Sequence, residues 1–453
     1  MELALVDSQS LKPAMINSEL CQSVKDKKDD ISIQTELNKF SLEYNGPVIM
    51  PNQQPLNTLA NEMETAITRV KEYCAHEFNA DLIPIGIIPT LELDHLSYSS
   101  ITSSWRYHAI DKLMKALHND HNFDLNVNGV DSLSLKWPNT VICGVNNSYQ
   151  VHLRVNPAEY NDMYNAAQIA SAFVLCVSGN SPLLLGHRLW EETRIAIFEQ
   201  TVNNKAFHPG SRYENSRVSF GRGWIKDGAL GLLKDACELF HPILPAVNYD
   251  PEQADKTNKL GPVLANMMQH NGSIWPWNRA IYDPASKGHF RIEMRSLSSG
   301  PTIHDMAMNA GFLLGLTKGL SYEVNSIIET MAFKYASHNF YQAAQYGLGA
   351  KCIWPNKKGI LSEIPMTDLL DRMLDLAAFG LHQLGVSDPE ITSMQSCIRA
   401  RYKNKMTGSI WQRQVFDNFV QKHGLSKEEA LTAMFQLYIK KQSTNQPVGA
   451  WTF

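Results

Sequence analysis

The chain has 453 residues, 44% of them hydrophobic, and 41 Lys+Arg against 45 Asp+Glu leave a formal charge of −4. That length fills one large core or two ordinary ones, and no basic block or basic-aromatic stripe suggests a nucleic-acid partner. No apolar run approaches the roughly 20 residues of a membrane span and no signal peptide opens the chain, so a cytoplasmic protein off the membrane is expected. Seven scattered cysteines without a Cys-x-x-Cys pair read as reduced packing thiols.

In chain order, Met1-Glu2-Leu3-Ala4-Leu5-Val6-Asp7 reads as a strand from its first residue, broken by Lys12-Pro13. Residues 21 to 30, with the run Lys25-Asp26-Lys27-Lys28-Asp29-Asp30, read as a solvated segment. Between Ile31 and Asn45 stand Glu36 and Glu43, seven apart. A continuous helix returns them to nearly one face, a single strand opposes them, and a strand, turn and second element could also bring them together. On their own they read as exposed glutamates. Asn57 to Phe78 carries apolar residues at 59, 63, 66, 67, 70 and 74, the period of an amphipathic helix between Pro55 and Asn79. Leu82 to Thr90 reads as a short buried strand entering a loop, and Arg106-Tyr107 follows it.

Val141 to Val155 reads as a strand that puts Gln150, His152 and Arg154 on one face and Val151, Leu153 and Val155 on the other. Asp162 to Val177 is an apolar helix, stopped by Ser178-Gly179-Asn180-Ser181-Pro182. After it, Arg188, Glu191 and Glu192 can pair at helical spacing, while Arg194 is the better candidate for an anion, because guanidinium holds carboxylate or phosphate bidentately. Arg217 to Trp224 is Gly-rich but fits neither a Walker loop nor a dinucleotide fingerprint. Residues 245 to 262 and 271 to 288 are rich in turn signals.

The stretch 289 to 302 is the most informative. An extended strand puts Arg291, Glu293 and Arg295 on one face and Phe290, Ile292 and Met294 on the other. A carboxylate between two guanidinium groups suits a site that handles anions and metal together, although a solvated strand face shows the same alternation. From 304 onward the pattern is mostly helical, through Lys334, from Pro365 to Gly385 and from Lys427 to Lys441. The expected layout is one domain over 1–453, sheet-forming over 1–303 and mostly helical over 304–453.

The words Arg-Ile-Glu-x-Arg-Ser-Leu (291–297) and Gly-Pro-Thr (300–302), with a helix of small and apolar residues behind them, resemble the glutamate-cysteine ligase family in its bacterial carboxylate-amine ligase branch. Thr-Glu-Leu before Leu-Glu-Tyr-Asn, Asn-Ser-Pro-Leu-Leu-Leu-Gly and Thr407-Gly408-x-x-Trp411 are similar to further segments of that family. Two positions depart from it. Of the family's first-strand Gly-x-Glu-x-Glu, this chain matches only the last acid, Glu2, which implies a start placed too far downstream or a lost metal ligand. Gln150 stands where many relatives carry the first histidine of His-x-His.

The resemblance implies an α+β fold of glutamine synthetase-like type, a curved and mostly antiparallel sheet forming a funnel with helices outside. It implies ATP and Mg²⁺ (or Mn²⁺) as cofactors, with Glu2, Glu36, Glu43 and Glu293 as metal carboxylates and Arg295 with Glu293 as catalytic residues. Gln150, His152, Arg194 and Arg291 would contact substrate or ATP. The implied partners are small molecules, an acid such as glutamate and an amine such as cysteine, as in glutathione biosynthesis, and self-association is left open. Joining a carboxylate to an amine is uphill in water, so such ligases spend ATP to make an acyl phosphate. The alternative is a non-catalytic descendant that binds an amino acid or nucleotide.

Overall fold

The computed structural model describes residues 1–117, 122–202, 216–247, 263–356 and 358–452. The first third contributes β1 (Glu2–Asp7), α1 (Asn17–Asp26), β2 (Ile33–Thr35), β3 (Ser41–Tyr44), α2 (Pro55–Phe78), β4 (Ala80–Ile83) and α3 (Trp105–Leu117). The middle contributes β5 (Phe123–Asn128), β6 (Ser132–Trp137), β7 (Val151–Val155), α4 (Tyr160–Ser178), β8 (Leu183–Leu184), β9 (His187–Arg188) and α5 (Thr193–Thr201). After these come α6 (Gly228–Leu239), α7 (Ala265–Asn271), β10 (Asn278–Asp283), β11 (His289–Met294), α8 (Ile303–Ser321), α9 (Val324–Thr330) and α10 (Phe333–Tyr346). The chain closes with β12 (Lys351–Pro355), β13 (Leu361–Pro365), α11 (Leu370–Gln383), α12 (Asp388–Lys403), α13 (Gly408–His423) and α14 (Lys427–Gln442).

The expected α+β class is what these elements form. Two sheets matter for the site, one of order β2-β3-β1-β4 and one of order β10-β11-β7. Every strand pairing within them is antiparallel. They are stitched together where the amide of Glu2 donates to the Ser148 carbonyl at 2.8 Å and the Tyr149 amide to the Leu297 carbonyl at 2.8 Å. Each sheet thus turns its second, apolar face to the helices.

Ile292 and Met294 are wholly buried on that face. α4 is buried along almost its whole length, and its Tyr164 hydroxyl donates to the Asn278 carbonyl on β10 at 2.7 Å. Behind it α8 meets α11 through glycines: a Cβ on Gly380 would fall 2.0 Å from the Gly315 carbonyl oxygen, so only glycine lets these helices approach so closely. The buried Arg401–Asp305 pair, at 2.9 Å, ties α12 to the start of α8. One hydrophobic cluster runs from Met1 to Trp451.

The structure differs from the sequence reading in five places. Residues 140–145 form a 3₁₀ helix, started where Asn139 accepts from the Val141 amide, so the strand expected over 141–155 begins only at Val151. The central strand ends at Met294, and the chain then turns at Gly300-Pro301 to enter α8, which Thr302 caps by accepting from the Asp305 amide. Segment 187–194 is not one helix: Arg188 is in β9 and α5 begins at Thr193. The turn-rich stretch 271–288 holds the strand β10, and the mostly helical part holds the β12–β13 hairpin. Of the other turn-rich stretch, 245–262, residues 248–262 lie outside the described residues.

Candidate active site

Strand register builds the site in two rows. Across β2, β3 and β1, Gln34 stands opposite Glu43 and Glu43 opposite Glu2. Across β10, β11 and β7, Arg279 stands opposite Glu293 and Glu293 opposite His152. Residues directly opposite in an antiparallel pair share a face with Cβ atoms about 5 Å apart, so each row is a short polar ladder. The Ser148 stitch brings the ladders together, because the Ser148 amide donates to Glu2 Oε2 at 2.6 Å and Gln150 Nε2 to Glu2 Oε1 at 2.9 Å. Both ladders face one cavity of about 640 Å³, within the usual range for a small-molecule site.

The second ladder is charge-matched. Arg279 grips Glu293 with two nitrogens, Nε at 2.8 Å from Oε2 and Nη2 at 3.0 Å from Oε1. Arg295 Nη1 lies 3.6 Å from Oε2 and His152 Nε2 3.5 Å from Oε1. Burial alone would push the Glu293 carboxyl up, but Arg279, Arg295 and His152 outweigh it and hold it at about 2. Desolvation, opposed by Glu293, lowers His152 from its ordinary value, although a third of its side chain stays exposed.

The first ladder is not matched. Burial and then Glu43 raise the Glu2 carboxyl, and burial, Glu43 and Glu2 raise Glu36 well above the usual carboxylate range. Close carboxylates whose burial and mutual repulsion raise Glu2 and Glu36 suit a hard, oxygen-seeking ion such as Mg²⁺. The fit is one of donor chemistry: among the described residues no group of three or more His, Cys, Asp or Glu stands as a ready-made metal cage. Glu293, already gripped by Arg279, does not belong to that trio.

Arg295 links the two ladders. It is nearly buried, its Nε and Nη1 have no hydrogen-bond partner among the described residues, and its charge is felt by both Glu2 and Glu293. Its guanidinium lies 5.9 Å from the Phe198 ring centroid. Phe198, Trp275 and Trp277 form an aromatic side wall, and Trp277 Nε1 donates at 2.8 Å to Glu199, whose carboxyl burial raises to about 7 against the hydrogen bonds from Tyr341 and Trp277.

Of the residues expected from sequence, Glu2, Glu36, Glu43, Gln150, His152, Arg194, Glu293 and Arg295 all line this cavity. Arg194 does so with its guanidinium already engaged, Nε to Glu192 at 2.7 Å and Nη2 to the Ser296 carbonyl at 2.7 Å. The pairings expected around it differ too, since Arg188 binds Asp131 and Asp417 while Glu191 binds Arg413. Arg291 is not part of the cavity wall and pairs with Asp283 instead, because two residues of strand carry it outward from Glu293. Sequence reasoning missed Arg279, Gln34 and the aromatic wall. The alternation in Asn278-Arg279-Ala280-Ile281 was the available signal, hidden between Pro276 and Pro284.

Two solved structures resemble the chain distantly. One is the Pup ligase PafA in complex with ADP, at 10% identity and a TM-score of 0.34 over 87% of this chain and 65% of that one. The other is the complex between prokaryotic ubiquitin-like protein Pup and its ligase PafA, at 10% identity and 0.32 over 94% and 68%. The chain thus spans just under two thirds of the first of them. The comparison with curated proteins returned no match. The sequence profile of glutamate-cysteine ligase family 2 (GCS2) matches residues 1–418, and the chain belongs to that family.

Proposed function

We propose that this protein is an ATP-dependent carboxylate-amine ligase that activates the γ-carboxylate of glutamate and joins it to an amine such as cysteine, with the two sheets forming the floor of a funnel-shaped catalytic domain over 1–453. Membership in the family supports the ligase chemistry. The observation that carries the site assignment is Arg295, a nearly buried guanidinium whose Nε and Nη1 have no hydrogen-bond partner among the described residues, beside an unmatched carboxylate cluster. Such an arrangement suits anionic phosphate on one side and a cation on the other.

In this reading Glu2, Glu36 and Glu43 would hold Mg²⁺, which when bound screens the phosphates and the incoming carboxylate. Arg295 would bind the transferred phosphoryl group, and Arg279 keeps Glu293 ionised so that Glu293 holds Arg295 in place. His152 and Gln150 can hydrogen-bond a substrate, and the aromatic wall suits a planar base. Five of the seven free cysteines are buried, and burial pushes the Cys143 and Cys176 thiols up, away from the thiolate; the proposed reaction needs no protein nucleophile.

Phosphate release from ATP with glutamate and a panel of amines tests the reading. Amine-dependent release that is lost in Arg295→Ala supports it. Gln150, an amide where the family resemblance expects imidazole, favours one other reading, the non-catalytic descendant, and ATP binding without release under any amine would establish that instead.

A further inference from the structure

The polar face of β11 and β7 continues past the cavity. Two residues outward from the Glu293–His152 pair, Arg291 stands directly opposite Arg154. Like charges on facing positions destabilise a sheet. Asp283 relieves one of them, with Oδ2 3.1 Å from Arg291 Nη2, yet Arg291 Nε is buried without a hydrogen-bond partner among the described residues. Arg154 is exposed and has no ion-pair partner among them.

Beyond the pair, the β10–β11 hairpin closes through Ser286, Lys287 and Gly288, with φ of 54°, 66° and 87°. Only the glycine adopts this left-handed backbone freely, so Ser286 and Lys287 are held in an unfavourable conformation by the turn. That turn sets Lys287 and His289 with Arg154 around a cleft of about 560 Å³, walled by Tyr282 and Phe290. Arg154, Lys287 and His289 thus line the cleft, and Arg291 stands across the strands from Arg154 with Asp283 as its paired carboxylate.

We propose that Arg154, Arg291 and Lys287 form an anion subsite that holds a second carboxylate or phosphate of a ligand seated in the main cavity. A strand advances about 3.3 Å per residue, which puts Arg291 roughly 13 Å from Arg295. The two carboxylates of free glutamate are too close together to reach both. The anion is either the distal carboxylate of a peptide-length acid or a phosphate of the nucleotide. The inference rests on the ligase reading only for which substrate supplies the anion.

Isothermal titration calorimetry of the full chain with inorganic pyrophosphate at low salt tests the subsite without turnover. Binding should weaken at least about 10-fold in Arg154→Gln and in Lys287→Gly, which removes the charge while suiting the left-handed backbone. Arg154→Glu should abolish it while raising the melting temperature, because the new carboxylate faces Arg291 across the strands. No binding by the wild type, or equal affinity in all variants, overturns the proposal. In kinetics, an acid KM raised in Arg154→Gln with the ATP KM unchanged assigns the subsite to the acid, and the reverse assigns it to the nucleotide. Pyrophosphate binding lost with neither KM altered overturns the link to the main cavity.

Discussion

Removing Arg279 should expose how the charged strand is balanced. Glu293 sits at about 2 against an ordinary 4.5, a difference of roughly 2.5 units or about 3 kcal/mol, with Arg279 the largest favourable contribution. Because the folded value is depressed, wild-type Glu293 contributes stability above pH 4.5 that is lost as pH falls toward 2. In Arg279→Met the carboxylate stays buried with only Arg295 and His152 nearby, so its pKa should rise above 4.5 and the sign should reverse. The variant should lose about 3 kcal/mol at pH 7, close to 3 °C in melting temperature for a chain of 453 residues, and should recover part of it on acidification to pH 5. Scanning calorimetry from pH 5 to 8 measures this, and Arg279→Met with Glu293→Gln should restore most of the loss at pH 7. A loss below about 1 kcal/mol, or no rescue in the double variant, would refute the view that Arg279 is what keeps Glu293 charged.

Three further outcomes follow from the same site. Saturating Mg²⁺ with ATP at about 100 times Kd should raise the melting temperature by about 3 °C, and Glu43→Gln should raise that of the free protein while losing the Mg²⁺ response; unchanged melting in Mg²⁺ and ATP counts against a metal at the trio. Arg295→Lys should lower kcat on the order of 10²-fold with MgATP affinity nearly intact, whereas parallel losses in both would make Arg295 a ground-state contact. Glu199, raised to about 7 by burial, makes the protein lose stability as pH climbs from about 4.5 to 7; Glu199→Gln should remove that slope and gain up to about 3 kcal/mol at pH 8, and identical pH profiles would show that Glu199 ionises normally.

What the sequence made legible was the chemistry of single strands. Period two placed Arg291, Glu293 and Arg295 on one face, and His152 with Gln150 on one face, before any register was known. Whether Glu36 and Glu43 could meet was open, because it depends on a turn: Glu36 follows directly after β2, the chain reverses, and Glu43 arrives on β3 opposite Gln34. Register was out of reach, and with it Arg279, since a strand bounded by Pro276 and Pro284 looks like loop until a neighbour pairs with it. Two segments that carried the family resemblance pack against each other. The Asn180 side chain donates to the Ser299 carbonyl and the Tyr438 hydroxyl, and a Cβ on Gly408 would fall 2.1 Å from its oxygen, so Asn-Ser-Pro and Thr-Gly-x-x-Trp are two halves of one buried joint.

The distribution of partners explains why the two arginines flanking Glu293 on one strand face do different work. A buried carboxylate needs one close guanidinium, and the closest one comes from the neighbouring strand, not from Arg291 or Arg295 in its own sequence. Arg279 thereby supplies the nearest charge to Glu293 and leaves Arg295 with donors that bond no group among the described residues, at the centre of the cavity, while Arg291 is carried one row outward to Asp283. Were β10 absent, Arg295 would be the carboxylate's main partner and would have no donors left for a ligand. The edge strand that sequence reading took for loop is therefore the element that keeps the central arginine available.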